Sequence, residues 1–168
     1  KNKKKKKKKI RALANYGAFQ RYHHIYQGCN SRLDELQAAF LLKKLPYLKG
    51  WNEERRHIAE KYLTGIKSDQ IVLPEINTEN PEEHVFHIFP VLCQRRDRLQ
   101  EFLKRKGIGT NIHYPIPIPK QGAYEAWGWD MAEFSATEKI CAQELSLPLY
   151  PGMNDAEIEY VIDSVNTF

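Results

Sequence analysis

Apolar residues recur at helical spacing from Leu33 to Ile66, and a single proline divides the row. Leu33, Leu36, Phe40, Leu41, Leu45 and Leu48 fall on one helical face, and Trp51, Ile58, Tyr62 and Ile66 continue it. A long helical element must therefore stand beside whatever else the chain forms. Pro46 removes one backbone donor and clashes with the preceding turn, which predicts a kink or break and two helical arms in series. Ser31 reads as the N-cap of this element, with Asp34 where an acid faces the positive end of the helix dipole.

The flanking segments change period. Residues 10–16 carry a short helical pattern closed by Gly17, a residue that adopts positive φ at little cost. Residues 22–28, rich in aromatics and histidine, read as an extended loop. Residues 84–93 are apolar, β-branched and aromatic, as in a buried strand. Residues 96–106 return to helix, with Leu99, Phe102 and Leu103 inward and Gly107 as the stop. Residues 108–114 read as a second strand, ended by Pro115, Pro117 and Pro119. Ser135 with Glu138 reads as a capping box for a helix through Leu145, and residues 146–150 as a short extended piece. Asn154 with Glu157 caps a final helix that turns Ile158, Val161, Ile162 and Val165 inward. The fold class is α/β, a small sheet flanked by helices.

Composition removes several classes of function. The 168 residues are 42% hydrophobic and 28% charged, with nine Gly and nine Pro, which suits one folded domain. No apolar run is long enough to span a bilayer, and the basic start lacks the apolar core of a secretory signal, so the cytoplasm is the expected compartment. The net charge of +5 is concentrated at one end: eight of the 26 basic residues lie in residues 1–9, and the other 18 face 21 acids, a net of −3. The lysine run reads as a disordered, self-repelling tail, and without interleaved aromatics it is not read as a nucleic-acid site. Cys29, Cys93 and Cys141 are far apart and odd in number, which predicts buried small hydrophobes rather than a disulfide scaffold or zinc site. His23, His24, His84 and His87 have no acid or cysteine at ligand spacing, so no metal site is expected.

The residues alone give no self-sufficient catalytic signature: there is no Gly-rich phosphate loop, no HExxH, no GxSxG and no evident carboxylate pair. Two places concentrate polar chemistry beside backbone breakers. Gly28-Cys29-Asn30-Ser31-Arg32 sets an amide, a hydroxyl and a guanidinium before a helix, which fits either an anion site or an ordinary cap. Asn111-Ile112-His113-Tyr114-Pro115 delivers His113 and Tyr114 into a stiff proline loop, which fits either a site or local hydrogen bonding and packing.

Four motifs, taken in order, resemble a known family. Ile10-Arg11-Ala12-Leu13-Ala14-Asn15-Tyr16-Gly17, then Gly28-Cys29-Asn30-Ser31-Arg32-Leu33-Asp34-Glu35-Leu36-Gln37-Ala38-Ala39, then Gly107-Ile108-Gly109-Thr110-Asn111-Ile112-His113-Tyr114-Pro115, then Leu145-Ser146-Leu147-Pro148-Leu149-Tyr150-Pro151 follow the sequence of the pyridoxal-phosphate-dependent sugar-nucleotide aminotransferases, the DegT/DnrJ/StrS aminotransferase family. With Trp51-Asn52-Glu53-Glu54-Arg55-Arg56 they are spread along the chain from Ile10 to Pro151, so that the likeness runs over essentially all of residues 10–168. Each motif is common; their order carries the likeness.

The resemblance implies the small C-terminal domain of a fold-type-I, aspartate-aminotransferase-like enzyme with a long interdomain helix. Residues 1–9 would be the lysine-rich tail, 10–66 the interdomain helical region with a dimer-facing loop, and 67–168 the α/β small domain. The implied reaction passes an amino group from glutamate to a keto-sugar nucleotide through pyridoxal 5'-phosphate, in a homodimer with a shared active site. Asn30 inherits a contact to the cofactor phosphate of the neighbouring subunit and Arg32 a supporting or substrate-anion role. His113 and Tyr114 inherit places near the sugar nucleotide. The family commonly has a histidine where Pro119 stands. Lys1-Asn2 matches the pair at the family's cofactor-bonding lysine, but the family places a longer glycine-containing stretch before Ile10. Lys1 is therefore read as a chance match, with the attachment lysine outside this chain and the chain inactive alone. The alternatives are a non-catalytic phosphate or nucleotide-sugar binding domain and a sugar dehydratase on the same fold. Tyr47, Trp51, Tyr62 and the aromatic loop at residues 22–26 are expected to leave apolar surface that a small sheet cannot cover.

Overall fold

The structure, a computed structural model, describes residues 2–20, 23–76 and 80–168. Lys1 and Tyr22, both singled out above, lie outside the described residues. The chain divides into two compact units, Lys1–Leu48 and Lys49–Phe168. The sequence reading set a boundary at 66/67; the observed division falls earlier because helix α3 supplies core to the second unit.

The first unit opens with α1 (Asn2–Leu13). The lysine segment read as a disordered tail is thus the body of a helix. Lysine is a fair helix former, and its long stem keeps the ammonium in water, so Lys3 to Lys9 stay exposed while Ala12 is buried. An antiparallel pair follows, β1 (Ala18–Gln20) with β2 (His23–His24). Helix α2 (Glu35–Lys44) is capped by Asp34, whose carboxylate accepts from the Leu36 amide at 2.9 Å and the Gln37 amide at 3.3 Å. Ser31 is therefore not the cap. Its own N–H donates to the Ala14 carbonyl at 3.0 Å, so the backbone there is still extended.

Pro46 sits in a single 3₁₀ turn, Leu45–Tyr47, between α2 and α3 (Leu48–Gly65), which gives the two arms in series that its chemistry requires. The apolar row has different fates along them. No residue of α2 is buried, and Leu33, Leu36, Phe40, Leu41 and Leu45 are all exposed. Ile58, Ala59 and Tyr62 on α3, with Ile66 beyond it, are buried. Tyr62, read as part of an uncovered surface, is fully enclosed.

The second unit is built on one antiparallel pair, β3 (Phe89–Leu92) with β4 (Glu144–Leu147), in the register Phe89↔Leu147 and Val91↔Leu145. Single bridges extend it on both sides, Val72↔Leu92 and Asn111↔Ser146. The expected strand at 84–93 is only its second half, because Phe86 takes a left-handed backbone with φ 47°. The expected strand at 108–114 reduces to the one bridge at Asn111. Helix α4 (Arg96–Arg105) buries Leu99 and Leu103 and ends before Gly107 at φ 75°, as its pattern indicates. Helix α5 (Ser135–Gln143) lacks the expected capping box. Phe134 occupies its N-cap without a side-chain bond, and Glu138 is instead paired with Lys120. Helix α6 (Asp155–Asn166) does carry its box, with Asn154 and Glu157 each accepting the other's backbone N–H. Its Asn166 amide oxygen also receives the Lys67 N–H at 2.6 Å just beyond α3. The core gathers α3, β3, α4, β4 and α6 into one cluster, a helix-flanked small sheet as expected. Among the cysteines only Cys93 is buried; Cys29 is exposed, because it lies in an extended loop segment rather than in the core.

At the centre of that cluster the Tyr62 ring meets Phe89 edge-on at 5.1 Å, and its hydroxyl donates to the Pro148 carbonyl at 2.7 Å. Burial, with a smaller contribution from nearby Tyr150, pushes its phenol well above the ordinary tyrosine range. Its folded-state value lies above its unfolded one, so the stability it contributes is fully present below about pH 10 and is lost as pH rises beyond that. Tyr62→Phe should cost about 1 kcal/mol at neutral pH, because the Pro148 carbonyl loses its donor. It should also remove an alkaline slope of about 1.4 kcal/mol per pH unit seen in the parent chain. Urea denaturation between pH 7 and 11 reads both effects, and an unchanged alkaline slope counts against this role for Tyr62.

Candidate functional site

The first candidate place is made by the main chain. Residues 28–31 run antiparallel to the end of α1: Cys29 N–H donates to the Leu13 carbonyl at 2.9 Å, Tyr16 N–H to the Cys29 carbonyl at 3.0 Å, and Asn30 bridges to Asn15. The approach is too close for a side chain. A Cβ on Gly28 would stand 2.3 Å from the Gly17 nitrogen and 2.5 Å from the Leu13 oxygen. Gly17, at φ 77°, would drive a Cβ to 1.7 Å from the Tyr26 carbonyl oxygen. Two glycines thus clamp the loop that presents Asn30 and Arg32.

Both of those side chains are exposed. The Arg32 guanidinium lies 5.8 Å from the centre of the Tyr16 ring, and the Asn30 amide makes no hydrogen bond to another described side chain or backbone group. An amide N–H and a guanidinium can both donate, which suits a phosphate or carboxylate. That chemistry does not borrow a helix end. The start of α2 is five residues beyond Asn30 and is already occupied by the Asp34 carboxylate, which removes the anion-ready helix start read from Ser31. His24 is likewise committed, its Nδ1–H donating to the Tyr16 carbonyl at 2.9 Å. Among the described residues no group of His, Cys, Asp and Glu is arranged to hold a metal.

The second place lies in the other unit, where the structure brings His113 and Tyr114 together with residues that the sequence reading left out. His113 N–H donates to Glu144 Oε2 at 2.6 Å. Its Nδ1 is 2.9 Å from Ser146 Oγ, and its Nε2 is 2.9 Å from Asn111 Nδ2. Ser146 Oγ donates to Glu144 Oε1 at 2.5 Å. Glu144 and Ser146 are buried, so every partner in this cluster is supplied by the fold. Local hydrogen bonding of His113, one of the two readings left open, is therefore present. Tyr114 meets the His113 ring edge-on and is 71% exposed, so it does not pack. A cavity of about 320 Å³ adjoins the cluster, lined by His87, Thr110, Asn111, His113, Leu147 and Leu149 among others. The sequence hides Glu144: Glu-Leu-Ser-Leu alternates polar and apolar residues, a pattern that places the acid on a solvent face, whereas all four residues are buried.

The profile of the DegT/DnrJ/EryC1/StrS aminotransferase family matches residues 1–166. The chain is 42% identical over 160 residues to a dTDP-3-amino-3,6-dideoxy-alpha-D-galactopyranose transaminase from Aneurinibacillus thermoaerophilus, covering 95% of the chain and 43% of that relative. It superposes on the crystal structure of S. venezuelae DesV with a TM-score of 0.86 and 38% identity, covering 95% of the chain and 43% of DesV. A structure of NtdA from Bacillus subtilis, with bound cofactor PMP, aligns at a TM-score of 0.77 and 30% identity, over 94% of this chain and 38% of that one. The chain thus spans less than half the length of the curated relatives it matches.

The glycine clamp gives a test of how the first place is built. Gly28→Ala forces a methyl into backbone atoms that cannot rotate away, and should destabilise the first unit by about 1–3 kcal/mol. Hydrogen exchange at the Tyr16, Cys29 and Ser31 amides should rise accordingly while exchange in α4 and α6 is unchanged. Retained protection at those three amides is the contrary result.

Proposed function

This chain belongs to the DegT/DnrJ/EryC1/StrS aminotransferase family, and from that premise we propose that it is the C-terminal portion of a sugar-nucleotide aminotransferase dependent on pyridoxal 5'-phosphate. The observation that carries the reading is the match of one family profile to residues 1–166, together with the 0.86 superposition on DesV. Relatives named as transaminases of dTDP-linked and UDP-linked sugars support a keto-sugar nucleotide as acceptor. Glutamate as donor, a homodimer that shares its active sites and a cytoplasmic setting complete the proposal. No helix among the described residues is long and apolar enough to cross a membrane.

The donor set at residues 28–32 fits the cofactor's phosphate. Asn30 would hold a phosphate oxygen through its amide N–H groups, and Arg32 would balance the charge or meet an anionic part of the substrate. When bound, pyridoxal phosphate supplies an electron sink for the carbon that gains or loses nitrogen. The chain's own contribution is to bind and orient. The pinned loop keeps the main chain that carries Asn30 in place before any ligand arrives, which spares the ordering cost of a mobile loop. In the second unit Tyr114 offers an exposed phenol, and Asn111, Thr110 and His113 line a cavity with no Lys or Arg among its described lining residues. That place suits the sugar rather than the pyrophosphate of a sugar nucleotide.

The test is made on a whole protein that includes this chain joined to the portion its relatives place before it. Asn30→Ala should lower cofactor affinity about tenfold to hundredfold, the equivalent of losing one hydrogen bond to a charged acceptor. The melting temperature of the cofactor-free protein should stay within about 1 °C, since the Asn30 side chain holds nothing in the fold. Pyridoxal phosphate titration and thermal melting on one preparation separate the two roles. Unchanged affinity with a lowered melting temperature makes Asn30 a structural residue.

A further inference from the structure

The hydrogen-bond cluster around His113 has only one consistent arrangement of protons, and it can be followed from a fixed donor. The Ile112 backbone N–H donates to Asn111 Oδ1 at 3.0 Å, which orients the Asn111 amide so that its Nδ2 faces the His113 ring. Nδ2 can only donate, so His113 Nε2, 2.9 Å away, is the acceptor. The ring proton is then on Nδ1 and is donated to Ser146 Oγ. Ser146 has a single hydroxyl proton, and that proton goes to Glu144 Oε1. Glu144 accepts at both oxygens, since Oε2 takes the His113 backbone N–H, and accepting at both is what a carboxylate does.

We infer that Glu144 is a positioning residue for the substrate side of the site: through Ser146 and the main chain it holds His113 as the Nδ1–H tautomer beside the cavity at residues 109–111. With Nε2 taken by Asn111, the wall offers the remaining Asn111 amide N–H and the Thr110 hydroxyl, with no Lys or Arg among the described residues lining the cavity. This combination favours a hydroxyl-bearing ring over a phosphate. The inference rests on the proposed role of His113 toward a sugar nucleotide. Glu144 itself is 2% exposed and touches no ligand space, so it acts only by fixing His113. Burying a carboxylate is costly, and here two hydrogen bonds to the loop that carries His113 offset that cost.

Two readouts test it. In ring-nitrogen correlation spectra of this chain with labelled histidine, His113 should show a protonated Nδ1 and a bare Nε2. Glu144→Gln places an amide donor against one of two donors, and Ser146→Ala removes the bridge. Both should shift His113 from a single Nδ1–H form toward a mixed pattern, because the Nδ1 side loses its fixed acceptor and Asn111 alone is left to orient the ring. A wild-type Nε2–H pattern, or variants that keep the wild-type pattern with an intact amide spectrum, overturns the inference. If Glu144→Gln does not fold, Ser146→Ala decides alone. In the whole protein, Ser146→Ala should raise KM for the keto-sugar nucleotide about tenfold with kcat within about twofold and cofactor affinity unaltered. An unchanged KM beside an altered tautomer also overturns the positioning role. A whole protein without transamination would count against the proposed function, while the ring spectra would still decide the relay.

Discussion

Strand β4 is buried along its whole length, and the second unit follows from how its four residues are satisfied. Leu145 and Leu147 pair across to Val91 and Phe89 and fill the core. Strand residues alternate faces, so Glu144 and Ser146 turn to the other side, where water does not reach them. A buried carboxylate and hydroxyl must find partners inside the protein. They take them from residues 111–113, which also pair with Ser146 through the main chain: Ser146 N–H donates to the Asn111 carbonyl at 2.8 Å. One short strand thus fixes both the hydrophobic centre and the place of His113.

The first unit solves a different problem with less apolar material. Its buried hydrophobics, among the described residues, are Ala12 and Ala18, so packing contributes little to its order. Backbone geometry does the holding instead, through a ladder between residues 13–16 and 28–31 and two glycines that permit its close approach. Such an arrangement keeps Asn30 and Arg32 in the solvent while fixing the main chain that carries them. An exposed donor pair on a pinned loop is suited to meeting an anion that arrives from outside the unit.

What could be read from the sequence divides along the same physical lines. Elements fixed by local chemistry were legible: the break at Pro46, the stop at Gly107, the Asn154–Glu157 box and the inward faces of α4 and α6 all depend on neighbours a few residues away. Elements decided by distant contacts were not. The run at 84–93 has strand composition throughout, yet the left-handed residue at Phe86 leaves only Phe89–Leu92 in the ladder. Ser31 and Ser135 have the spacing of caps, but Ser31 spends its backbone on Ala14 and Glu138 turns to Lys120. Asn30, Arg32, His113 and Tyr114 were singled out through ordered motifs. Glu144 was missed because a lone acid beside leucines reads as an ordinary exposed residue until its burial is known.

The apolar row from Leu33 to Ile66 shows why periodicity alone does not decide burial. On α3 the row is covered by β3, α4 and α6, and Tyr62 even finds a partner for its hydroxyl. On α2 the same spacing leaves Leu36 and Phe40 more than three-fifths exposed. Leaving so many large side chains in water costs about 1.5–3 kcal/mol for each one that burial would remove. Single exposed leucines are ordinary on a protein surface, but a contiguous row of this length marks a face made to be covered. The period that fixes the helix is local, while the surface that would cover it is not.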